Sequence, residues 1–217
     1  PGTAIGPLRE EIAREVGLES CPMVIASACH DTAAAIAAVP ATDPGPWGYL
    51  SSGTWSLLGV ELPSPRITPE ALKHNFTNEG GVDGTTRFLK NINGLWLVQE
   101  CRRRWVREGQ DLGYDELTHM AEKSRSRGCF IVPDDPVFFA PEDMPKAIVD
   151  FCRRTGQKVP ETKGEIVLCA LESLALTYRA VARLASDVSG QTIERLHIVG
   201  GGTRNRLLNQ LAANALG

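Results

Sequence analysis

Three consecutive glycines, Gly200–Gly202, stand between the apolar segment Leu196–Val199 and the amphipathic segment Asn205–Leu216. This pattern predicts a buried strand that turns tightly into a helix, and a glycine backbone lets a flat or anionic group come close. A short apolar run, a polar turn and a helical segment also follow one another between Met23–Ala26 and Ala33–Val39. We therefore expect an α/β fold with a mixed sheet flanked by helices.

The composition is that of an ordinary globular protein, with 42% apolar and 23% charged residues. The net charge of −3 argues against a nucleic-acid surface built from positive charge. No apolar run approaches the length of a membrane span, and no basic and apolar leader opens the chain. We expect a cytoplasmic protein whose partners are neither nucleic acids nor membranes.

Six cysteines show no Cys-x-x-Cys spacing and no adjacent histidine pair, so their spacing argues against a zinc site. Reduced thiols are expected for a protein of the cytosol. If any pair oxidises, Cys152 and Cys169 are the candidates, because each lies on one of two neighbouring predicted helices, Met144–Arg154 and Glu165–Val188.

Periodicity and turn residues predict the other elements. Helices are expected over Pro7–Val16, from Asn93 or Gly94 to Trp105, and over Tyr114–Lys123; strands over Met23–Ala26, on both sides of a turn at Gly53 within Trp47–Leu62, over Thr85–Leu89, Phe130–Val132 and Leu196–Val199; and loops over Pro40–Pro46 and residues 63–84.

Asp31 lies where the first predicted strand turns into its helix. Aspartate at this position is typical of a helix N-cap, a role open to Asp31 or Thr32. The same carboxylate could instead be a general base at the sheet edge where α/β proteins bind ligands. Phosphoryl transfer suits such a group, because the aspartate mainly orients a hydroxyl and accepts its proton late. The turn Ser51–Thr54 could hold phosphate oxygens, although an ordinary hairpin explains it equally well.

Together these segments resemble the FGGY family of carbohydrate kinases, in particular its branch that acts on L-rhamnulose. The resemblance rests on five strings, His30-Asp31-Thr32-Ala33, Tyr49-Leu50-Ser51-Ser52-Gly53-Thr54-Trp55-Ser56, Thr77-Asn78-Glu79-Gly80-Gly81, Leu89-Lys90-Asn91-Ile92 with Gly94-Leu95-Trp96, and Leu196–Gly202 followed by Asn205 and Leu207-Leu208-Asn209-Gln210. It implies an actin-like ATPase (ribonuclease H-like) fold.

The resemblance also implies roles for individual residues. Asp31 would accept the proton from the C1 hydroxyl of L-rhamnulose as that oxygen attacks the γ-phosphate of Mg²⁺-bound ATP. The sugar would be bound by His30, Asp31, Thr32 and Asn91. The nucleotide would be bound by Thr54, Gln99 and Gly201, with Gln99 placed two turns along one helix from Asn91. Alternatives are a kinase of this family for another sugar, such as xylulose or fuculose, and a non-catalytic actin-like binding domain.

Kinases of this family have two actin-like domains with the substrates between them. We expect residues 1–217 to form most of the second domain, because the chain begins at Pro1 and stops directly after a predicted helix. The N-terminal domain, with its phosphate loop and the magnesium ligands, and the last elements of the second domain would then lie outside the chain. The isolated chain is expected to be inactive.

Overall fold

The computed structural model describes residues 2–27, 30–42 and 45–217. The first four elements are β1 (Ala4–Pro7), α1 (Glu10–Glu15), β2 (Met23–Ile25) and α2 (Asp31–Ala37). Strands β1 and β2 pair only with each other, in an antiparallel two-stranded sheet. The predicted burial of β2 is wrong, since Met23 is 55% and Ile25 is 52% exposed. Neither strand of this small sheet contains a buried residue, and neither contributes to the main core.

The main sheet has five strands in the order β5-β6-β4-β3-β7. Its elements are β3 (Trp47–Ser52), β4 (Trp55–Leu62), α3 (Pro69–Lys73), β5 (Thr77–Gly80), β6 (Thr86–Asn93) and β7 (Arg195–Val199). Strand β7 is parallel to β3, whereas the other neighbouring pairs are antiparallel. The predicted mixed sheet is confirmed, as is the hairpin that turns at Gly53.

Five longer helices flank this sheet. They are α4 (Trp96–Arg107), α5 (Tyr114–Lys123), α6 (Met144–Arg154), α7 (Lys163–Ser189) and α8 (Arg206–Leu216). Helix α7 begins with a reciprocal capping box between Thr162 and Glu165 and ends at Gly190, whose φ of 78° is left-handed. Its buried residues form the centre of the core, against α5, α8 and β4. None of the helices among the described residues is long and apolar enough to cross a membrane.

Three predicted boundaries are wrong for identifiable reasons. The segment 63–84, predicted as a loop, contains α3, which Thr68 caps by accepting a hydrogen bond from the Ala71 amide (3.1 Å), and β5. Strand β6 continues to Asn93 because it pairs with β4 along its whole length. Phe130–Val132 is not a strand, since its first two amides donate to the side chains of Gln157 and Ser173 rather than to another strand.

Helix α1 is shorter than the predicted helix Pro7–Val16, because Ala4–Pro7 is extended and pairs with β2. The helices α5 and α6 have the predicted bounds, and α7 extends its prediction by a few residues. Part of the predicted loop Pro40–Pro46, residues 43–44, and Cys29 lie outside the described residues.

Cys152 on α6 and Cys169 on α7 are free thiols. The structure brings a third free thiol, Cys129, beside them, and the three Sγ atoms lie within 4.8 Å of one another. A hydrogen bond with the Cys169 thiol is the main cause that lowers the pKa of Cys152 to about 7. Residues far apart in sequence thus form one buried cluster that spacing alone did not predict.

Candidate functional site

The carboxyl ends of three strands meet at one edge of the main sheet. Val199 at the end of β7 pairs with Ser51 near the end of β3, and Asn93 at the end of β6 pairs with Trp55 just after the β3–β4 turn. The turns that follow these strands therefore lie side by side. Ligands of α/β proteins bind at this kind of edge.

The turn Gly53–Thr54 is held rigidly by the start of α4. The Gly94 amide donates to the Thr54 carbonyl (3.1 Å), and the Leu95 amide donates to the Gly53 carbonyl (2.9 Å). A side chain at Gly94 would bring its Cβ within 2.8 Å of that Gly53 carbonyl oxygen, so this approach requires glycine. The exposed Thr54 hydroxyl is thereby presented on a fixed backbone.

Gln99 lies one turn into α4 and contacts Thr54 directly. Its side-chain nitrogen is 3.1 Å and its side-chain oxygen 3.2 Å from the Thr54 hydroxyl. Asn91 lies on β6, not on the same helix, so the predicted two-turn spacing between Asn91 and Gln99 is wrong. The cause is the extension of β6 beyond its predicted end.

The three glycines have different surroundings. Gly200 has φ of 89°, and a Cβ there would lie 2.7 Å from the Ser52 carbonyl oxygen. A Cβ on Gly202 would overlap the Ser52 hydroxyl and lie 2.7 Å from its Cβ. A Cβ on Gly201 would meet nothing within 4 Å. Gly200 and Gly202 thus pack the turn against β3, whereas Gly201 is open to a ligand.

A buried pair of hydroxyl groups lies on the core side of the turn Gly53–Thr54 and the glycine turn. The Tyr178 hydroxyl on α7 is 2.8 Å from the hydroxyl of Ser56 at the start of β4, and both residues are fully buried. Burial raises the pKa of Tyr178, so its hydroxyl stays protonated and able to donate. Ser52, on which the glycine turn packs, is also buried.

A cavity of about 830 Å³ opens between these turns and α5. The three residues predicted to bind nucleotide, Thr54, Gln99 and Gly201, all line it. Its other lining residues are Gly53, Leu95, Val98, Gly113, Tyr114, Asp115, Thr118, His119, Glu122, Gly202, Arg204, Asn205 and Arg206. The walls thus combine apolar side chains and small backbone turns with two arginines, Arg204 and Arg206, and two carboxylates, Asp115 and Glu122.

The N-terminus of α8 borders the same cavity. Asn205 caps the helix by accepting a hydrogen bond from the Leu208 amide (2.9 Å), and its own side-chain nitrogen is 3.4 Å from the Thr118 hydroxyl on α5. Helix N-termini favour anions because their amide groups point outward and the helix dipole is positive there. Arg204 and Arg206 add positive charge at this end of the cavity.

Of the four residues predicted to bind sugar, Asn91 lies on a second face of the sheet and the other three lie at the start of α2, the helix that packs on this face. Helix α2 covers this face through Ile36, which packs with Tyr49 and Leu89. Asn91 is two residues beyond Leu89 on β6, so its side chain is on the same face, and it is exposed. His30, Asp31 and Thr32 lie at the start of α2.

The Asp31 carboxylate is open to solvent, with 98% of its side chain exposed. Its Oδ1 accepts a hydrogen bond from the Thr32 amide (2.6 Å) and lies 3.4 Å from His30 Nδ1. His30, not Asp31 or Thr32, occupies the N-cap position, because the helix already begins at Asp31. The predicted capping role is therefore wrong, and Asp31 follows a strand of the small sheet rather than of the main sheet.

Sequence reasoning did not find the wall that α5 contributes to the cavity. Tyr114, Asp115, Thr118, His119 and Glu122 line the cavity, while the opposite side of α5 packs in the core. This polar stripe has helical spacing, but so does any solvated helix face. No motif in the sequence separates the two cases.

A family model decides the classification. The model for the C-terminal domain of the FGGY family of carbohydrate kinases matches residues 48–217. The chain belongs to this family. The resemblance read from the sequence is thus confirmed.

Curated relatives carry a narrower description. A rhamnulokinase of Bacteroides thetaiotaomicron is 52% identical over 217 residues, which are all of this chain and 44% of that protein. A rhamnulokinase of Bacillus subtilis is 42% identical over the same share of each chain. The chain therefore spans less than half the length of the relatives it matches.

Solved structures show the fold. A xylulose kinase from Rhodospirillum rubrum superposes with a TM-score of 0.69 at 20% identity, over 100% of this chain and 42% of that one. A gluconate kinase from Lactobacillus acidophilus superposes with a TM-score of 0.65 at 15% identity, over 99% of this chain and 42% of that one. The chain has the actin-like ATPase fold of these sugar kinases.

Proposed function

We propose that the protein containing this chain transfers the γ-phosphate of ATP to the C1 hydroxyl of L-rhamnulose, giving L-rhamnulose 1-phosphate and ADP. The observation that carries this proposal is the 52% identity to a rhamnulokinase over all 217 residues. The cavity supports this proposal. Two turns and the helix α4 bring Thr54, Gly201 and Gln99 together around a space of nucleotide size. The chain would supply the second of two domains.

We propose that the nucleotide-binding residues act by holding the phosphates of ATP in position. The Thr54 hydroxyl and the open backbone at Gly201 would contact phosphate oxygens, and Gln99 would hold the Thr54 hydroxyl in place. The α8 N-terminus and Arg204 would add positive charge near the phosphates. Fixed donors of this kind stabilise the negative charge on the transferred phosphoryl group without reorganising during the reaction.

Asp31 is proposed as the general base. As the sugar oxygen forms its bond to the γ-phosphorus and the bond to the ADP oxygen breaks, the hydroxyl proton would pass to the Asp31 carboxylate. The described neighbours that contact this carboxylate do so at Oδ1, which leaves Oδ2 to accept the proton. Thr32 and His30 would orient it through their contacts with Oδ1, and Asn91 would bind a further sugar hydroxyl.

Mg²⁺ is the usual metal of this family, and we propose that it is bound with ATP. Among the described residues, no group of three carboxylates or histidines at the cavity could hold a metal ion. Mg²⁺ commonly takes one or two carboxylates together with substrate phosphates. The family resemblance implies that its protein ligands lie outside this chain, and when bound it would neutralise charge on the phosphates.

The test is ADP release by the full-length protein over a panel of ketoses and polyols, with Asp31→Asn alongside. We expect turnover with L-rhamnulose that falls by at least ~100-fold in Asp31→Asn, in line with the contribution of a positioned base. Asp83→Asn is the matched control, because Asp83 lies exposed in a turn with positive φ that asparagine also adopts. Preference for another sugar would refute the substrate, and full activity of Asp31→Asn would refute the base.

A further inference from the structure

Two serines of the β3–β4 hairpin lie side by side on the core face of the main sheet. Ser52, the last residue of β3, pairs with Ser56 on β4 in antiparallel register, so both side chains point to the same face. Leu50 and Leu58 join the core from this face. Both serines are buried, with exposed fractions of 1% and 0%. Each serine hydroxyl therefore has to find its hydrogen-bond partners inside the protein.

Each serine contacts a different turn at the cavity. A Cβ on Gly202, in the glycine turn, would overlap the Ser52 hydroxyl. A Cβ on Gly94 would lie 2.6 Å from the Ser56 hydroxyl oxygen and 2.9 Å from the Ser56 amide nitrogen. The Gly94 amide in turn donates to the Thr54 carbonyl (3.1 Å). Ser52 thus sets the position of the glycine turn, and Ser56 sets the position of the Thr54 turn.

The hydroxyl of Tyr178 on α7 interacts with both serines. It lies 2.8 Å from the Ser56 hydroxyl, and Tyr178 is fully buried. Burial raises the pKa of Tyr178, whereas hydrogen bonding with Ser56 and then with Ser52 lowers it. The contact with Ser52 is longer than a standard hydrogen bond, because the Ser52 hydroxyl has no partner at hydrogen-bond distance among the described residues. One buried hydroxyl thus connects the two turns.

We propose that Tyr178 is a positioning residue of the nucleotide site. Through the two serines, its hydroxyl fixes the distance between the Thr54 turn and the glycine turn. This inference rests on the proposed function, in which both turns contact the phosphates of ATP. Tyr178 is buried and does not line the cavity, so it acts only through the serines. The spacing matters because a misplacement of about 1 Å can cost ~100-fold in rate.

The test measures ATP binding to the full-length protein by calorimetry without sugar, together with the KM for L-rhamnulose. In Tyr178→Phe we expect ATP affinity at least ~5-fold lower, the loss expected when one buried hydrogen bond no longer contributes. The KM for L-rhamnulose should not change, because Asn91 lies on the other face of the sheet. Tyr49→Phe is the matched control. Tyr49 is also fully buried, but it faces Ile36 on the other side of β3, so its removal should leave ATP affinity unchanged.

A double variant separates positioning from stability. Tyr178→Phe alone leaves the buried Ser56 hydroxyl unpaired, whereas Tyr178→Phe with Ser56→Ala removes both partners and should restore most of the lost stability. Neither variant contains the hydrogen bond, so ATP affinity should stay at least ~5-fold below that of the wild type in both. Recovery of ATP affinity together with stability would show that Tyr178 is only structural and would overturn the proposal, as would wild-type affinity in Tyr178→Phe.

The binding measurement also distinguishes this inference from the proposed function. A protein that binds ATP but does not phosphorylate L-rhamnulose would refute the proposed substrate, and a lowered ATP affinity in Tyr178→Phe would still support the positioning role. Turnover of L-rhamnulose with equal ATP affinity in both proteins would refute the positioning role alone. A wild-type protein that binds no ATP would overturn both.

Discussion

Gly201 and Gly202 are adjacent, yet the structure assigns them opposite sensitivities to one added methyl group. In Gly202→Ala the new Cβ would overlap the Ser52 hydroxyl and lie 2.7 Å from the Ser52 Cβ and 2.9 Å from its carbonyl oxygen, and Ser52 is only 1% exposed. In Gly201→Ala the Cβ meets no protein atom within 4 Å and faces the cavity. One substitution therefore perturbs packing and the other perturbs the space for a ligand.

The magnitudes follow from these contacts. Inserting a methyl group into a filled core costs about 1–3 kcal/mol. Each kcal/mol lowers the melting temperature by about 2–4 °C for a unit of 150–250 residues and by less for a longer protein, so Gly202→Ala should lower that of the full-length protein by at most roughly 12 °C. Gly201→Ala should stay within about 0.5 kcal/mol of the wild type in stability. Its KM for ATP should rise at least ~10-fold, the effect of losing about 1.4 kcal/mol of binding.

The assay combines thermal unfolding with ADP release at varied ATP concentrations, on the full-length protein. The predicted pattern is a stability loss confined to Gly202→Ala and, in Gly201→Ala, a raised KM for ATP at wild-type stability. An equal stability loss in both variants would show that Gly201 is also a packing residue. An unchanged KM for ATP in Gly201→Ala would refute close approach of the nucleotide to this turn.

Three further predictions concern the hydroxyl pair, an ion pair and the isolated chain. Tyr178→Phe leaves the buried Ser56 hydroxyl without its partner and should cost about 1–3 kcal/mol in denaturant unfolding, less when Ser56→Ala is also present. The hydrogen bond from Arg127 lowers the pKa of Glu165. The stability that this ion pair contributes is therefore present above the ordinary glutamate pKa and is lost as pH falls through the lowered value. Arg127→Gln should accordingly flatten the fall in melting temperature below about pH 4.5. The isolated 217-residue chain should release no ADP with L-rhamnulose and ATP, since Asp31 is 98% exposed; measurable turnover would contradict the need for a second domain.

Local patterns predicted the parts of the fold that depend on local physics. The apolar face from Ile166 to Val188 and the stop at Gly190 define α7 because a long helix carries its own periodicity. The β3–β4 hairpin follows from Gly53 between two apolar runs. By contrast, β5 is polar and short, and it is a strand only because β6 pairs with it.

The site was predictable only as separate residues. The two turns were found from the sequence, and the family resemblance implied the roles of Thr54 and Gly201, but their meeting in one cavity depends on β3 and β7 being parallel neighbours. The α5 wall and the three-cysteine cluster depend on helix packing, which joins Cys129 to Cys169 across 40 positions of sequence. Spacing within a motif carries no information on such contacts.

Phosphorus NMR of the product formed by the full-length protein from L-rhamnulose and Mg²⁺-bound ATP tests the proposed reaction at C1 most directly. We expect a single phosphomonoester on C1, formed at least ~100-fold more slowly by Asp31→Asn. Phosphate on another hydroxyl, or no phosphorylated sugar with the wild-type protein, would contradict it.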